Sequence, residues 1–247
     1  MPFSDAEVER YARHLVLKEV GGPGQQALKA ARVLIVGAGG LGAPAALYLA
    51  AAGVGRIGLV DADTVALSNL QRQVLFGAAD VGKAKTAAAA ERLSALNPHV
   101  DIAPHATMLT ADNAADLVAA YDVVLDGTDD FETRFAVNSA CVGLNKPLVS
   151  GALGRWSGQV GVFEGRPCYQ CLVPETPPEA ETCAVVGVVG ALAGVIGSMM
   201  ALEAIKLITG AGKTLTGQLL MYDGLNAETR VSRIGADPHC QVCGEDA

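Results

Sequence analysis

Val33-Leu34-Ile35-Val36-Gly37-Ala38-Gly39-Gly40-Leu41-Gly42 is the stretch whose reading decides the fold. Four apolar residues in a row, closed by glycine, suit a short strand buried on both faces, as in a parallel sheet. The GxGxxG spacing that follows allows a tight turn, and the alanine-rich run to about Ala52 reads as a helix. Arg56 to Val60 supplies a second strand, ending at Asp61. Strand, helix and strand make a βαβ unit, and such crossovers are right-handed.

Working outward, Ser4-Asp5-Ala6-Glu7 forms a capping-box pattern that starts a short amphipathic helix with Tyr11, Arg13 and His14 near its end. Gly21-Gly22-Pro23-Gly24 breaks that helix, and a second is expected from Gln25 to Ala31. Downstream, Lys83 to Leu96 reads as a helix stopped by Asn97-Pro98, with strands at Asp101 to Ala103 and Val123 to Asp126. A helix over Phe131 to Leu144 and a strand at Leu148 to Ser150 follow. Beyond Gly151, strands at Gln159 to Phe163, Gln218 to Tyr222 and Thr229 to Ile234 surround a long apolar helix. The expected fold class is α/β, a Rossmann-like, mostly parallel sheet with helices on both faces and an antiparallel C-terminal extension. One continuous domain over residues 1–247 is expected, with N-terminal helices in 1–30, a nucleotide-binding part in 31–150 and the antiparallel part in 151–247.

Hydrophobic residues make up 51% of the 247 and charged residues 18%, which sustains a sizeable core and excludes disorder. A formal net charge of -8 argues against general nucleic-acid binding, which needs Lys and Arg to displace counterions. The opening MPFSDAEVER has no apolar signal-peptide region, so a cytoplasmic location is expected. Ala184 to Leu202 is free of charge, long enough for a bilayer, and carries Gly190 and Gly194 in a GxxxG pattern. It lacks a basic flank and stands alone among α/β signals, so a helix buried on the sheet or at a subunit interface is expected rather than a membrane span.

In the glycine loop, phosphates can reach backbone N–H groups at the positive end of a helix. Asp61, 24 residues after Gly37, can accept ribose hydroxyls, and these two features alone favour NAD and an oxidoreductase. The following residues depart from that pattern. Ser68-Asn69-Leu70-Gln71-Arg72-Gln73, Asp80-Val81-Gly82-Lys83-Ala84-Lys85 and Asp126-Gly127-Thr128-Asp129-Asp130 bring cations and carboxylates toward strand ends, where α/β sheets bind ligands. Each charge alone reads as a solvated surface residue. Together, Arg72, Lys85 and Asp129 suit a triphosphate with Mg²⁺, because cations offset phosphate charge and a carboxylate holds the metal.

With RYARHL near the start, GAGGLG, DADTVALSNLQRQ, DVGKAK and DGTDD, the chain resembles the MoeB/ThiF family over almost its whole length. These are adenylyltransferases of molybdopterin and thiazole biosynthesis, related to ubiquitin-activating enzymes. The resemblance implies that ATP adenylylates the C-terminal Gly-Gly carboxylate of a small ubiquitin-like sulfur-carrier protein and releases pyrophosphate. It implies glycine-loop and ribose contacts at Gly39, Gly40 and Asp61, phosphate ligands at Asn69, Arg72 and Lys85, and a catalytic, metal-binding Asp129. Arg13 resembles an N-terminal arginine that reaches the γ-phosphate from the other subunit of a homodimer. The family usually has Asn where Asp130 stands here, adding an acid near the metal. A sulfur donor would be a separate protein.

Cys168-Tyr169-Gln170-Cys171 and Cys240-Gln241-Val242-Cys243 are two CxxC pairs, the spacing of a Cys₄ Zn²⁺ site. Such a site has no open position, so its role is structural, and the family agrees. Disulfides or redox CxxC chemistry are the competing readings. Cys141 falls within a helix and reads as buried packing. Cys183, before the long helix, resembles the cysteine with which some relatives form a thioester or acyl-disulfide; others adenylate without it. The region after Gly151 is expected to frame the groove for the carrier's tail, with Trp156 either bordering that groove or packed in the core. The other readings are an NAD-linked oxidoreductase and a non-catalytic, zinc-stabilised binding module.

Overall fold

In a computed structural model, which describes residues 2–177 and 187–245, side chains along β1 (Arg32–Val36) alternate between two apolar layers. Val33 and Ile35 join one core cluster, Leu34 and Val36 the other. All four are essentially inaccessible to solvent. Burying each is worth about 1.5–3 kcal/mol, which is why four apolar residues in succession make a central strand here.

β1 pairs in parallel with β2 (Arg56–Val60) and with β4 (Val123–Asp126). β3 (Asp101–His105) extends the parallel sheet beyond β2, and β5 (Leu148–Leu153) extends it beyond β4. Then β6 (Ser157–Phe163), β7 (Gln218–Asp223) and β8 (Glu228–Arg233) add on as antiparallel strands. The order of the eight strands is β3-β2-β1-β4-β5-β6-β7-β8. The chain builds outward from β1 in one direction, then returns to build from β4 in the other. That reversal leaves a crevice at the carboxyl ends of β1 and β4, where open α/β sheets bind ligands.

One face of the sheet is covered by residues of α2 (Gly21–Ala30), α3 (Gly42–Ala52), α4 (Lys85–Leu96) and α8 (Gly190–Thr209). The other is covered by α5 (Ala114–Ala119), α6 (Phe131–Gly143) and the single turn α7 (Tyr169–Leu172). The Ser4–Glu7 capping box starts α1 (Asp5–Leu15), with Ser4 N–H donating to Glu7 at 2.9 Å. At the far end of α3, Gly53 adopts φ +81 and closes the helix against the Tyr11 ring, leaving no room for a Cβ.

Three expectations change. Gly21-Gly22-Pro23-Gly24 forms the first turn of α2 instead of a break before it. Gly21 turns the chain at φ +54, and Pro23 sits in the first turn, where its missing N–H costs nothing. The helix expected from Lys83 starts at Lys85, because Ala84 bridges to Thr64 and Lys85 N–H donates to Asp63 O. The charge-free segment Ala184 to Leu202 is not itself the helix: α8 runs from Gly190 to Thr209, and residues 184–186 lie outside the described residues. By length and composition α8 could cross a membrane. Here it lies across β5 and β6 and against α3, burying Ile196, Met200 and Ala204. In the GxxxG pair, a Cβ on Gly190 would collide with Gln71 O while Gly194 faces open space. Gly197 is the residue that lets α8 approach the backbone of Leu41.

Candidate active site

The loop after β1 is held by glycine geometry. Gly37 takes φ +87, and a Cβ on Gly42 would lie 1.8 Å from Gly37 O. Only glycine fits there, so the turn can be this tight and its amides stay close to the crevice. Asp61, directly after β2, closes on the same loop. Its Oδ2 accepts from Ala38 N–H at 2.8 Å and its Oδ1 from Asp63 N–H at 2.8 Å. The carboxylate therefore stands fixed beside the glycines.

Lys85, first residue of α4, is buried and reaches Asp63 at 2.8 Å and Asp61 at 3.7 Å. Asn69 caps its own 3₁₀ turn by accepting from Ala66 N–H at 3.1 Å. Arg72, three residues on, runs its stem over Gly40 and donates to Ser68 O at 3.2 Å. The loop after β4 carries Asp129, and Asp130 is the N-cap of α6, accepting from Thr133 N–H at 2.8 Å. Asp and Asn cap helices about equally well. Asp130 in place of the Asn that the resemblance implies therefore keeps the cap and adds one charge.

Gly39, Gly40, Asp61, Asn69, Arg72, Lys85, Asp129 and Asp130 all line one cavity of about 840 Å³. Arg13 does not. It is exposed on α1, a helix that packs on α2, and it is absent from the cavity wall of its own chain. Cys183 lies outside the described residues.

Two cavity-lining residues, Arg134 and Gln73, were not singled out from sequence. Arg134 on α6 is buried and donates to Ser150 Oγ at 3.1 Å, to Gly151 O at 2.8 Å and to Thr128 O. Asp126 accepts from Thr128 N–H at 3.0 Å, from Thr128 Oγ1–H at 2.6 Å and from Ser150 Oγ–H at 3.1 Å. The Gly127–Asp129 loop is thus tied down by a buried charge pair. A sequence signal existed: Arg134, Val137, Asn138 and Cys141 are buried at helical spacing, so Arg134 is a cation on the inward stripe of α6. The second is Gln73, buried with its Nε2 beside Gly39 and its Oε1 without a partner.

The sulfurs of Cys168, Cys171, Cys240 and Cys243 lie within 4.8 Å of one another. Cys168 to Cys240 is 3.6 Å and Cys171 to Cys243 is 3.4 Å. Disulfide sulfurs would lie about 2.05 Å apart, whereas a tetrahedral zinc with Zn–S near 2.3 Å spaces them at about 3.8 Å. The donor set and spacing fit a zinc ion. Asn138 Nδ2–H donates to Cys168 at 3.5 Å and Asp237 N–H to Cys171 at 3.5 Å, the outer contacts thiolates need. Cys141 is separate; burial pushes its thiol up to about 12, which makes it inert.

The chain as a whole is similar to known proteins. The chain is 48% identical to the sulfur carrier protein adenylyltransferase of Thermus thermophilus, covering 100% of this chain and 94% of that protein. It is 46% identical to the molybdopterin-synthase adenylyltransferase of Escherichia coli, covering 98% and 99%. Longer relatives named as both adenylyltransferase and sulfurtransferase also match; the chain spans 62% of one and 51% of another. Among solved structures, Escherichia coli MccB with ATP superimposes with a TM-score of 0.82 at 25% identity, over 95% of this chain and 74% of that one. The ThiF family model matches residues 11–243, and with these identities across the whole length the chain belongs to the ThiF family.

Proposed function

We propose that this chain is an ATP-dependent adenylyltransferase that activates the C-terminal carboxylate of a small ubiquitin-like sulfur-carrier protein. The observation that carries the reading is the meeting of Arg72, Lys85 and Asp129 around Gly39 and Gly40 in one cavity. A second supports it: the cavity shares Ala152, Leu153 and Gln159 with a shallower groove of about 590 Å³ across β6 and β7, bordered by Met221 and Arg230. That groove suits an extended peptide tail whose end must reach a nucleotide. The names of the relatives from Thermus thermophilus and Escherichia coli, a sulfur carrier protein adenylyltransferase and a molybdopterin-synthase adenylyltransferase, agree with such a partner. The carrier would serve molybdenum-cofactor or thiamine biosynthesis.

The carrier's carboxylate attacks the α-phosphorus of ATP, the α–β phosphoanhydride bond breaks, and pyrophosphate leaves. A carboxylate is already ionised at neutral pH, so no general base is required. What this chain's residues supply is alignment and charge neutralisation. Arg72 and Lys85 face the phosphates, Asp61 faces the ribose, and Lys85 exchanges its contact with Asp63 for a phosphate oxygen. Asp129, with Asp130 beside it, would hold Mg²⁺, which supplies further charge stabilisation on the leaving group. Arg13 would come from the second copy in a homodimer, since it does not line its own cavity. The Cys₄ cluster would hold a structural Zn²⁺ that fixes the C-terminal segment to the body. An NAD-linked reading leaves Arg72, Lys85 and Asp129 without a task.

ATP–pyrophosphate exchange, run with a molybdopterin-synthase carrier and a thiazole-pathway carrier in turn, tests the proposal. Carrier-dependent exchange is expected with one of them, and Arg72→Ala and Asp129→Ala should each remove most of it. Near-normal exchange in both folded variants, or no AMP transfer to either carrier, would reject it.

A further inference from the structure

The inward side of α6 grips two separate parts of the chain. Arg134 donates to the Thr128 carbonyl of the loop that carries Asp129. Asn138, one turn further on, donates to Cys168 Sγ at 3.5 Å and accepts from Tyr169 N–H at 2.8 Å. Tyr169 joins the two. It follows Cys168 directly, opens the turn α7 that contains Cys171, and is buried. The guanidinium carbon of Arg134 lies 5.8 Å from the centre of its ring. Phe163 meets that ring edge-on at 5.8 Å, and Phe135 lies tilted against it at 6.3 Å. Tyr169 also lines the cavity, together with Thr128, Asp129 and Arg134. One side chain therefore stands between the four-thiol cluster and the cation that fixes the Asp129 loop.

A buried guanidinium has lost its hydration, and the negative face of an aromatic ring replaces part of it. The ring cannot drift, because Phe135 and Phe163 confine it and Asn138 fixes its backbone. Where Cys168 sits thus decides where the ring sits, the ring bears on Arg134, and Arg134 holds the Thr128 carbonyl. Packed side chains of this kind are a physical route for coupling between sites. We infer that Tyr169 is a positioning residue for the reaction, holding Arg134 and through it the Asp129 loop in a place set by closure of the four-cysteine cluster. The inference rests on the proposed adenylyltransferase reading, in which Asp129 faces the nucleotide's metal. Opening of the thiol cluster would free Tyr169 and loosen the loop. By linkage the effect runs both ways: a nucleotide that favours this loop arrangement tightens the cluster's hold on Zn²⁺.

The test measures how tightly zinc-loaded protein retains Zn²⁺ against a zinc-selective chelator, with and without ATP·Mg²⁺, whose binding is followed separately. ATP·Mg²⁺ should tighten retention about fivefold or more in the unaltered protein, the lower end of ordinary allosteric coupling. Tyr169→Leu fills much of the space without a ring. It should hold Zn²⁺ normally in the absence of nucleotide but lose the tightening. Its kcat for ATP–pyrophosphate exchange should fall on the order of tenfold, the value of one desolvated cation–π contact, with the KM for ATP little changed. Tyr169→Phe keeps the ring and should recover most of both effects. Retention that ignores bound ATP·Mg²⁺ in the unaltered protein would overturn the inference without any variant. Tightening that survives in Tyr169→Leu, or Tyr169→Phe as impaired as Tyr169→Leu, would overturn it too. So would loss of Zn²⁺ from nucleotide-free Tyr169→Leu, which would mark the residue as packing for the cluster alone. Failure of the unaltered protein to bind ATP·Mg²⁺ at all would overturn the adenylyltransferase reading as well, and so separates the two.

Discussion

Arg134 Nη1 lies 3.3 Å from Asp126 Oδ2 with both side chains buried, and the loop bearing Asp129 is strung between them. Asp126 ends β4 and takes both donors of Thr128; Arg134, from α6, takes the Thr128 carbonyl. Burial opposes the guanidinium's charge, but Asp126, aided by Tyr169 and Asp129, more than offsets it and raises its pKa. The strand end, the loop and the helix are thus one rigid unit.

Removing one partner of such a pair leaves an uncompensated buried charge. Arg134→Met should cost about 3–5 kcal/mol of stability by urea unfolding. Combining it with Asp126→Asn should recover part of that loss, because the stranded charge is gone. If the double variant is as unstable as the sum of the single ones, the ion pair is not what holds the loop.

Asp130 caps α6 through Thr133 N–H. Asp130→Asn should therefore keep stability within a few tenths of a kcal/mol, while Asp130→Ala should lose about 1 kcal/mol. Thermal melts of both variants decide this. A large loss in Asp130→Asn would mean that the charge, and not the cap, is what matters.

Glu7 is hydrogen-bonded by the Lys29 ammonium at 2.7 Å and by Ser4 N–H, which together hold its carboxyl at about 2, below the ordinary 4.5. A carboxyl depressed in the folded state stabilises above its unfolded pKa and loses that contribution as pH falls toward the folded one. Glu7→Gln should thus be less stable than the unaltered protein near neutral pH, and the gap should close between about 4.5 and about 2. Unfolding midpoints across that range give the answer; a constant gap would contradict it.

Zinc should be present at about one ion per chain, measured by elemental analysis of purified protein. Chelation should leave the β-sheet intact but expose the segment after Asp237 to limited proteolysis, because Cys240 and Cys243 then lose their anchor to Cys168 and Cys171. Resistance of that segment in metal-free protein would show that packing alone holds it.

Much of this was legible locally. The Gly37–Gly42 spacing and the apolar β1 place a nucleotide-binding turn because short-range geometry demands it, and the CxxC pairs do the same for four sulfurs that meet across 68 intervening residues. The helix start at Gly21 was misread because glycine and proline break helices in the interior yet are tolerated in the first turn. α5 gave no signal, being only six residues long.

The amino-acid sequence alone determined the strand and helix periods, the tight turn, the cluster of cations and carboxylates, and the four thiols, since each is a pattern over neighbouring residues. Tertiary structure alone decided that Arg134 pairs with Asp126, that Gln73 roofs Gly39, that Arg13 stands away from its own cavity and that α8 lies on the sheet. Those depend on which surfaces separate elements bury together, and burial sets whether a given charge or amide is solvated, paired or left without a partner.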